Sequence, residues 1–104
     1  MYQLVAFIPE THLESVKQAM FDAGAGQSDK YIHCAFQVRG TGQFKPTAAA
    51  DPYYGQVDEL EVVAEYRVEI SVPDQIIKDV IAALVQAHPY EQPAYSAWQV
   101  DFAG

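Results

Sequence analysis

Four stretches have the period-two patterning of strands, one of them apolar on both faces, and two others carry apolar residues at helical spacing. In residues 2–8, Leu4, Ala6 and Ile8 fall on one side while Val5 and Phe7 fall on the other, so both faces are apolar and a central strand is predicted. After Pro9, Thr11 and Glu14 have the T-x-x-E spacing of a capping box. Leu13, Val16, Met20 and Ala23 then form a helical stripe that Gly24 and Gly26 end. Residues 31–38 alternate again, with Ile32, Cys34, Phe36 and Val38 on one face and Tyr31, His33, Ala35 and Gln37 on the other. In residues 60–70, Leu60, Val62, Ala64, Tyr66, Val68 and Ile70 oppose Glu61, Val63, Glu65, Arg67 and Glu69. Pro73 and Asp74 open a second amphipathic helix with the stripe Ile76, Ile77, Val80, Ile81, Leu84 and Val85, closed by His88-Pro89. A last strand over residues 95–102 sets Ser96, Trp98, Val100 and Phe102 against Tyr95, Ala97, Gln99 and Asp101.

The order βαββαβ predicts an α+β fold of the ferredoxin-like plan: an antiparallel four-stranded sheet with both helices on one face. Cys34 and its alternation partners Phe36 and Val38 are expected on the helix-covered side, which makes the thiol a buried small hydrophobe and not a nucleophile. The opposite sheet face mixes charge with apolar groups, where a solvated face would be uniformly polar. Glu61, Val63, Glu65, Arg67 and Glu69 are therefore expected at a homo-oligomer interface, trimeric or dimeric. Residues four apart on a strand lie roughly 13 Å from each other, so these glutamates form no catalytic carboxylate pair. Arg67 between Glu65 and Glu69 suggests cross-strand or intersubunit ion pairing.

The connection between the second and third strands is long where hairpins usually take about 2–5 residues, and such loops are commonly functional. From Gly40 to Asp58 it combines Gly40, Gly42, Pro46, Pro52 and Gly55 with Phe44, Tyr53 and Tyr54, a composition suited to packing on a surface. In βαββαβ order this loop, the start of the first helix and the His88-Pro89-Tyr90-Glu91-Gln92-Pro93 turn share one end of the fold. Thr11, His12, Gly40, Gly42, Phe44, Lys45, Pro46, His88, Tyr90 and Glu91 are the expected ligand-binding residues, for a small molecule or a protein partner. Gly40-x-Gly42 lacks the third glycine and the following helix of a dinucleotide fingerprint. The alternative is a divalent metal held by His12, His88 and Glu91, whose spacing matches no standard ligand pattern. His33 is read as a strand-pairing residue.

Composition narrows the picture. The chain has 104 residues, half of them hydrophobic, which suits one domain over residues 1–104. Its 14 acidic against 6 basic residues give a net charge of -8, which opposes binding to the phosphates of nucleic acid. The short apolar start lacks a basic leader, no segment approaches the roughly 18 apolar residues of a membrane span, and one cysteine forms no internal disulfide. A cytoplasmic location is expected, with no membrane and no required cofactor.

Several motifs resemble one family along nearly the whole chain. They are Gly24-Ala25-Gly26, Tyr31 with Cys34 and Phe36, Gly40-x-Gly42-x-Phe44-x-Pro46, Pro52 with Gly55, Glu61 with Glu65, Arg67 and Glu69, and His88-Pro89-Tyr90-Glu91-x-Pro93-Ala94-Tyr95. Together they resemble the insertion domain of YqfO-like proteins of the Nif-three-type family, here in stand-alone form. The resemblance implies a PII-like or CutA-like domain that associates in threes over a dinuclear-metal toroid whose ligands lie outside it. It implies no transfer of that family's hydrolase-like labels. Gln27-Ser28-Asp29-Lys30 departs from the family's usual apolar-Gly-polar run before the tyrosine. The function expected is thus a non-enzymatic binding or assembly module.

Overall fold

The computed structural model describes residues 1–101. Strand β1 (Tyr2–Pro9) leads through a short 3-10 turn into helix α1 (Leu13–Asp22), followed by β2 (Phe36–Phe44), β3 (Glu61–Val72), a second 3-10 turn, α2 (Ile77–Ala87) and β4 (Tyr95–Gln99). All neighbours in the sheet are antiparallel, in the order β2-β3-β1-β4. This is the ferredoxin-like arrangement, with β1 inside the sheet as its doubly apolar pattern requires. Phe102 of the expected last strand lies outside the described residues.

The core forms where one face of each element meets the others. Leu4, Ala6 and Ile8 of β1 and Val68, Ile70 and Val72 of β3 pack against Val16 and Met20 of α1 and Val80 and Leu84 of α2. Burying such a side chain contributes about 1.5–3 kcal/mol. Val85, at the margin of the α2 stripe, stays exposed. The expected capping box does not form: α1 begins at Leu13, two residues beyond Thr11, and no side chain caps it. The 3-10 turn over Glu10–His12 takes up those two residues. Glu14 pairs with Lys17 and Thr11 turns elsewhere.

Strand two differs from its expected span, and so do the faces of its side chains. Gly26, at a φ of 71°, holds a tight turn in which its amide donates to the Ser71 carbonyl and its carbonyl accepts from Cys34 N–H. Ser28 folds the next segment back through hydrogen bonds from Lys30 N and Tyr31 N. His33 then adopts a φ of 60°, which no continuous strand tolerates, and its ring stacks on Phe21 at 4.7 Å instead of pairing in the sheet. Pairing therefore starts at Phe36 and runs through Gly40 and Gly42 to Phe44. Phe36 lies opposite Glu69 and Val38 opposite Arg67, which puts both on the sheet face away from the helices. Cys34, expected to be buried, is exposed in the segment before the strand.

Beyond the β1 partner Glu65, residues 61–64 of β3 pair with β2 alone. The resulting two-stranded arm lengthens the molecule, whose extents are 47 × 23 × 23 Å. No helix among the described residues is long and apolar enough to cross a membrane.

Candidate functional site

The long connection proper begins after Phe44, and its own ends meet. Pro46 is buried, and its carbonyl accepts a 2.8 Å hydrogen bond from Asp58 N. The intervening residues thus close as a compact surface loop, as their proline and aromatic content suggests. Two tethers hold this loop to the scaffold. The Asp51 amide donates to Glu91 Oε1 at 2.9 Å, joining it to the turn after α2. The Tyr54 hydroxyl lies 3.0 Å from Thr11 Oγ1, itself 2.8 Å from His12 Nδ1, joining it to the entry of α1.

Aromatic contacts join the loop to the scaffold. Tyr53 meets His12 edge-on at 5.5 Å and Tyr54 at 4.6 Å; Tyr54 meets Tyr90 at 6.0 Å, and Tyr90 meets Phe44 at 5.8 Å. They border a cavity of about 360 Å³ whose lining also includes Phe7, Lys45, Pro46, Glu65 and Glu91. The three chain segments predicted to share one end therefore do so.

Within the expected set, the roles divide. Phe44, Lys45, Pro46, Tyr90 and Glu91 line the cavity, while Thr11 and His12 brace the loop from outside. Gly40 is a paired strand residue opposite Glu65 and is not part of the lining. Gly42 matters sterically, because a Cβ there would overlap the Glu65 carboxylate, which lies across its backbone. Alternating glycines in a strand signal such a close approach, the clue by which Glu65 could have been placed in the cavity.

His88 is buried, at 6% exposure. Its Nε2 donates to the Phe7 carbonyl at 2.8 Å, and its Nδ1 accepts from Tyr90 N–H at 3.2 Å. Because an amide can only donate, the ring is neutral with its proton on Nε2. Burial pushes the imidazole below its ordinary pKa, outweighing the Phe7 carbonyl and Glu65, which favour the charged form. Both nitrogens are thus engaged in holding the turn. His12, His88 and Glu91 do not assemble as ligands, and no cluster of three or more His, Cys, Asp or Glu suited to a metal occurs among the described residues.

Tyr90 carries the unusual feature. Its hydroxyl is buried and has no hydrogen-bond partner among the described residues. Burial, then the neighbouring Glu65 carboxylate, push its pKa far up, although the geometry between the two falls short of a formed hydrogen bond. Tyr53, Tyr54 and Asp51 contribute here without having been singled out as ligand residues, since their partners are distant in sequence.

On the open sheet face, register places Glu61, Val63, Glu65, Arg67 and Glu69 beside Phe44, Gly42, Gly40, Val38 and Phe36. Arg67 pairs with Glu69 of its own strand at 3.3 Å, not across strands, and its guanidinium lies over the Phe7 ring at 5.8 Å.

No protein-family model matches the chain. A Bacillus subtilis protein named GTP cyclohydrolase 1 type 2 homolog is 42% identical over 99 residues, covering 95% of this chain and 26% of that protein. The solved structure of a Bacillus cereus protein related to NIF3 superposes with a TM-score of 0.82 at 40% identity, over 97% of this chain and 26% of that one. The chain is a homologue of one segment of the NIF3-related proteins. It spans about a quarter of the length of these relatives. A PII-like protein CutA from a Nostoc species matches with a TM-score of 0.67 at 19% identity, over 97% of this chain and 82% of that one. That likeness shows the fold: the chain has a CutA-type, PII-like architecture.

Proposed function

We propose that this NIF3-related chain is a non-enzymatic binding and assembly module that self-associates through its open sheet face and takes a ligand at the loop end. The observation that carries the reading is the half-open cavity walled on one side by the loop over residues 46–58, where a buried Tyr90 hydroxyl lacks a partner beside several aromatic side chains. A buried hydroxyl left unpaired costs about 1–3 kcal/mol, and an occupant that bonds to it recovers that cost. Binding is favoured over catalysis because the histidine, the threonine and one of the two carboxylates at this end are already engaged in holding the fold. Glu91 holds Asp51, Thr11 holds Tyr54, and His88 is locked between Phe7 and Tyr90.

Self-association is supported by the open face. Phe36, Val38 and Trp98 are 63%, 50% and 45% exposed there, around the Arg67–Glu69 pair. Covering each would contribute about 1 kcal/mol, and a charged pair at its centre suits a self-complementary surface. Sedimentation velocity at micromolar concentration tests this: a dimer or trimer is expected, with Phe36→Asp/Val38→Asp shifting the population to monomer. A strictly monomeric parent chain would overturn the assembly reading.

A further inference from the structure

We propose that the loop-end cavity receives an alkylammonium group, boxed by aromatic rings with the Glu65 carboxylate as its counter-charge. The proposal rests on the reading of this cavity as a ligand site and names the class of ligand. Ring geometry is the first argument. Phe44, Tyr53, Tyr54 and Tyr90 all line the cavity. Successive rings in the series Tyr53, Tyr54, Tyr90, Phe44 meet at 73°, 80° and 61°. A flat heterocycle needs parallel walls on which to stack. Steeply inclined rings instead turn several faces and edges around a compact group, and the face of an aromatic ring attracts a cation within about 6 Å.

Charge is the second argument. Glu65 lines the cavity with its carboxylate laid over Gly42, and no ion pair neutralises it among the described residues. Glu91 also lines the space, against the single exposed Lys45. An anionic occupant would face two carboxylates and one lysine, within a chain of net charge -8. The unpartnered Tyr90 oxygen supplies an acceptor for the N–H of a primary ammonium such as a lysine side chain, an interaction a quaternary ammonium lacks. At about 360 Å³, the cavity also has room for the aliphatic chain that carries the charge. The group could be delivered by a small amine or by the lysine side chain of a peptide.

Calorimetric titration of the full chain decides the matter with four probes: choline, its uncharged analogue bearing a tert-butyl group in place of trimethylammonium, a Gly-Lys-Gly peptide, and benzoate. Saturable binding of choline or the peptide is expected, with the uncharged analogue at least about tenfold weaker. Which of the two binds more tightly identifies the source of the ammonium group. Glu65→Gln, close in shape, should weaken ammonium binding by about tenfold. Tyr53→Leu, at an exposed position that keeps an apolar side chain, should weaken it by several-fold. Equal binding of the uncharged analogue, or affinity unchanged in both variants, would overturn the proposal. So would failure of every ammonium probe to saturate by about 10 mM, a limit corresponding to negligible affinity. In that event, saturable benzoate binding lost in Tyr53→Leu would retain the ligand site and refute only its charge class.

Discussion

Replacing His88 separates a structural histidine from a ligand-binding one. In His88→Ala the Phe7 carbonyl loses the Nε2–H donor and the Tyr90 amide loses its Nδ1 acceptor, both bonds being part-buried. Two such losses cost about 2 kcal/mol, and the space left by a ring at 6% exposure adds about 1–2 kcal/mol. The expected loss is therefore about 3–4 kcal/mol, a large share of the roughly 5–15 kcal/mol typical of a domain. At about 4–8 °C per kcal/mol, the midpoint of thermal unfolding should fall by at least about 12 °C. His88→Phe refills much of the volume without restoring either bond and should recover about 1 kcal/mol. Urea unfolding followed by far-ultraviolet circular dichroism measures both.

The pH dependence provides an independent check. The folded-state imidazole is held below its unfolded pKa of about 6.5, chiefly by burial. On acidification the unfolded chain takes up this proton first. The stability contributed by the neutral ring is thus fully present above about pH 6.5 and is lost as pH falls through the lower folded value. The parent chain should weaken as pH falls below about 6.5, and His88→Phe should show a shallower slope over that range. A loss below about 1 kcal/mol for His88→Ala, or equal slopes for parent and His88→Phe, would refute the locked-turn reasoning.

Two glycines should respond in opposite ways to alanine. Gly26→Ala forces a Cβ onto the Cys34 backbone at a φ of 71°, where nothing can yield cheaply, and should cost more than about 2 kcal/mol in urea unfolding. Gly42→Ala meets only the mobile end of Glu65, so stability should change by less than about 1 kcal/mol while choline affinity falls in the calorimetric assay. Cys34, being exposed, should react with a thiol reagent such as dithionitrobenzoate in native buffer, at a rate that denaturant raises only slightly. A need for unfolding before labelling would show that the segment before β2 packs over the thiol.

Much of the candidate site was legible because topology carries it. Once residues 2–8, 60–70 and the two helical stripes are placed in βαββαβ order, the loop, the entry of α1 and the turn after α2 must share an end. Lys45, Tyr90 and Glu91 line the cavity accordingly. What could not be read was which partner each group would find. Thr11 has the spacing of a cap, yet a 3-10 turn before α1 leaves its hydroxyl for Tyr54. His88 has the chemistry of a ligand, yet its two nitrogens are taken by Phe7 and Tyr90, one of them across 81 residues of sequence.

Alternation and helical periodicity are local properties, and the sequence alone determined from them the four strands, two helices and their order, with β1 inside the sheet. Strand two shows where local information ends. Its alternation is real, but a single left-handed residue at His33 and the tight turn at Gly26 decide where pairing begins. Pairing with β3 then decides which face each side chain occupies. Because the period of a strand is two, that choice moves a whole row at once. Phe36 and Val38 go to the open face, Gly42 goes beneath Glu65, and Glu65 turns toward the cavity. Only the tertiary structure could make that choice, since the energy that selects one face over the other lies in contacts with β3, the helices and the loop, not within the strand itself.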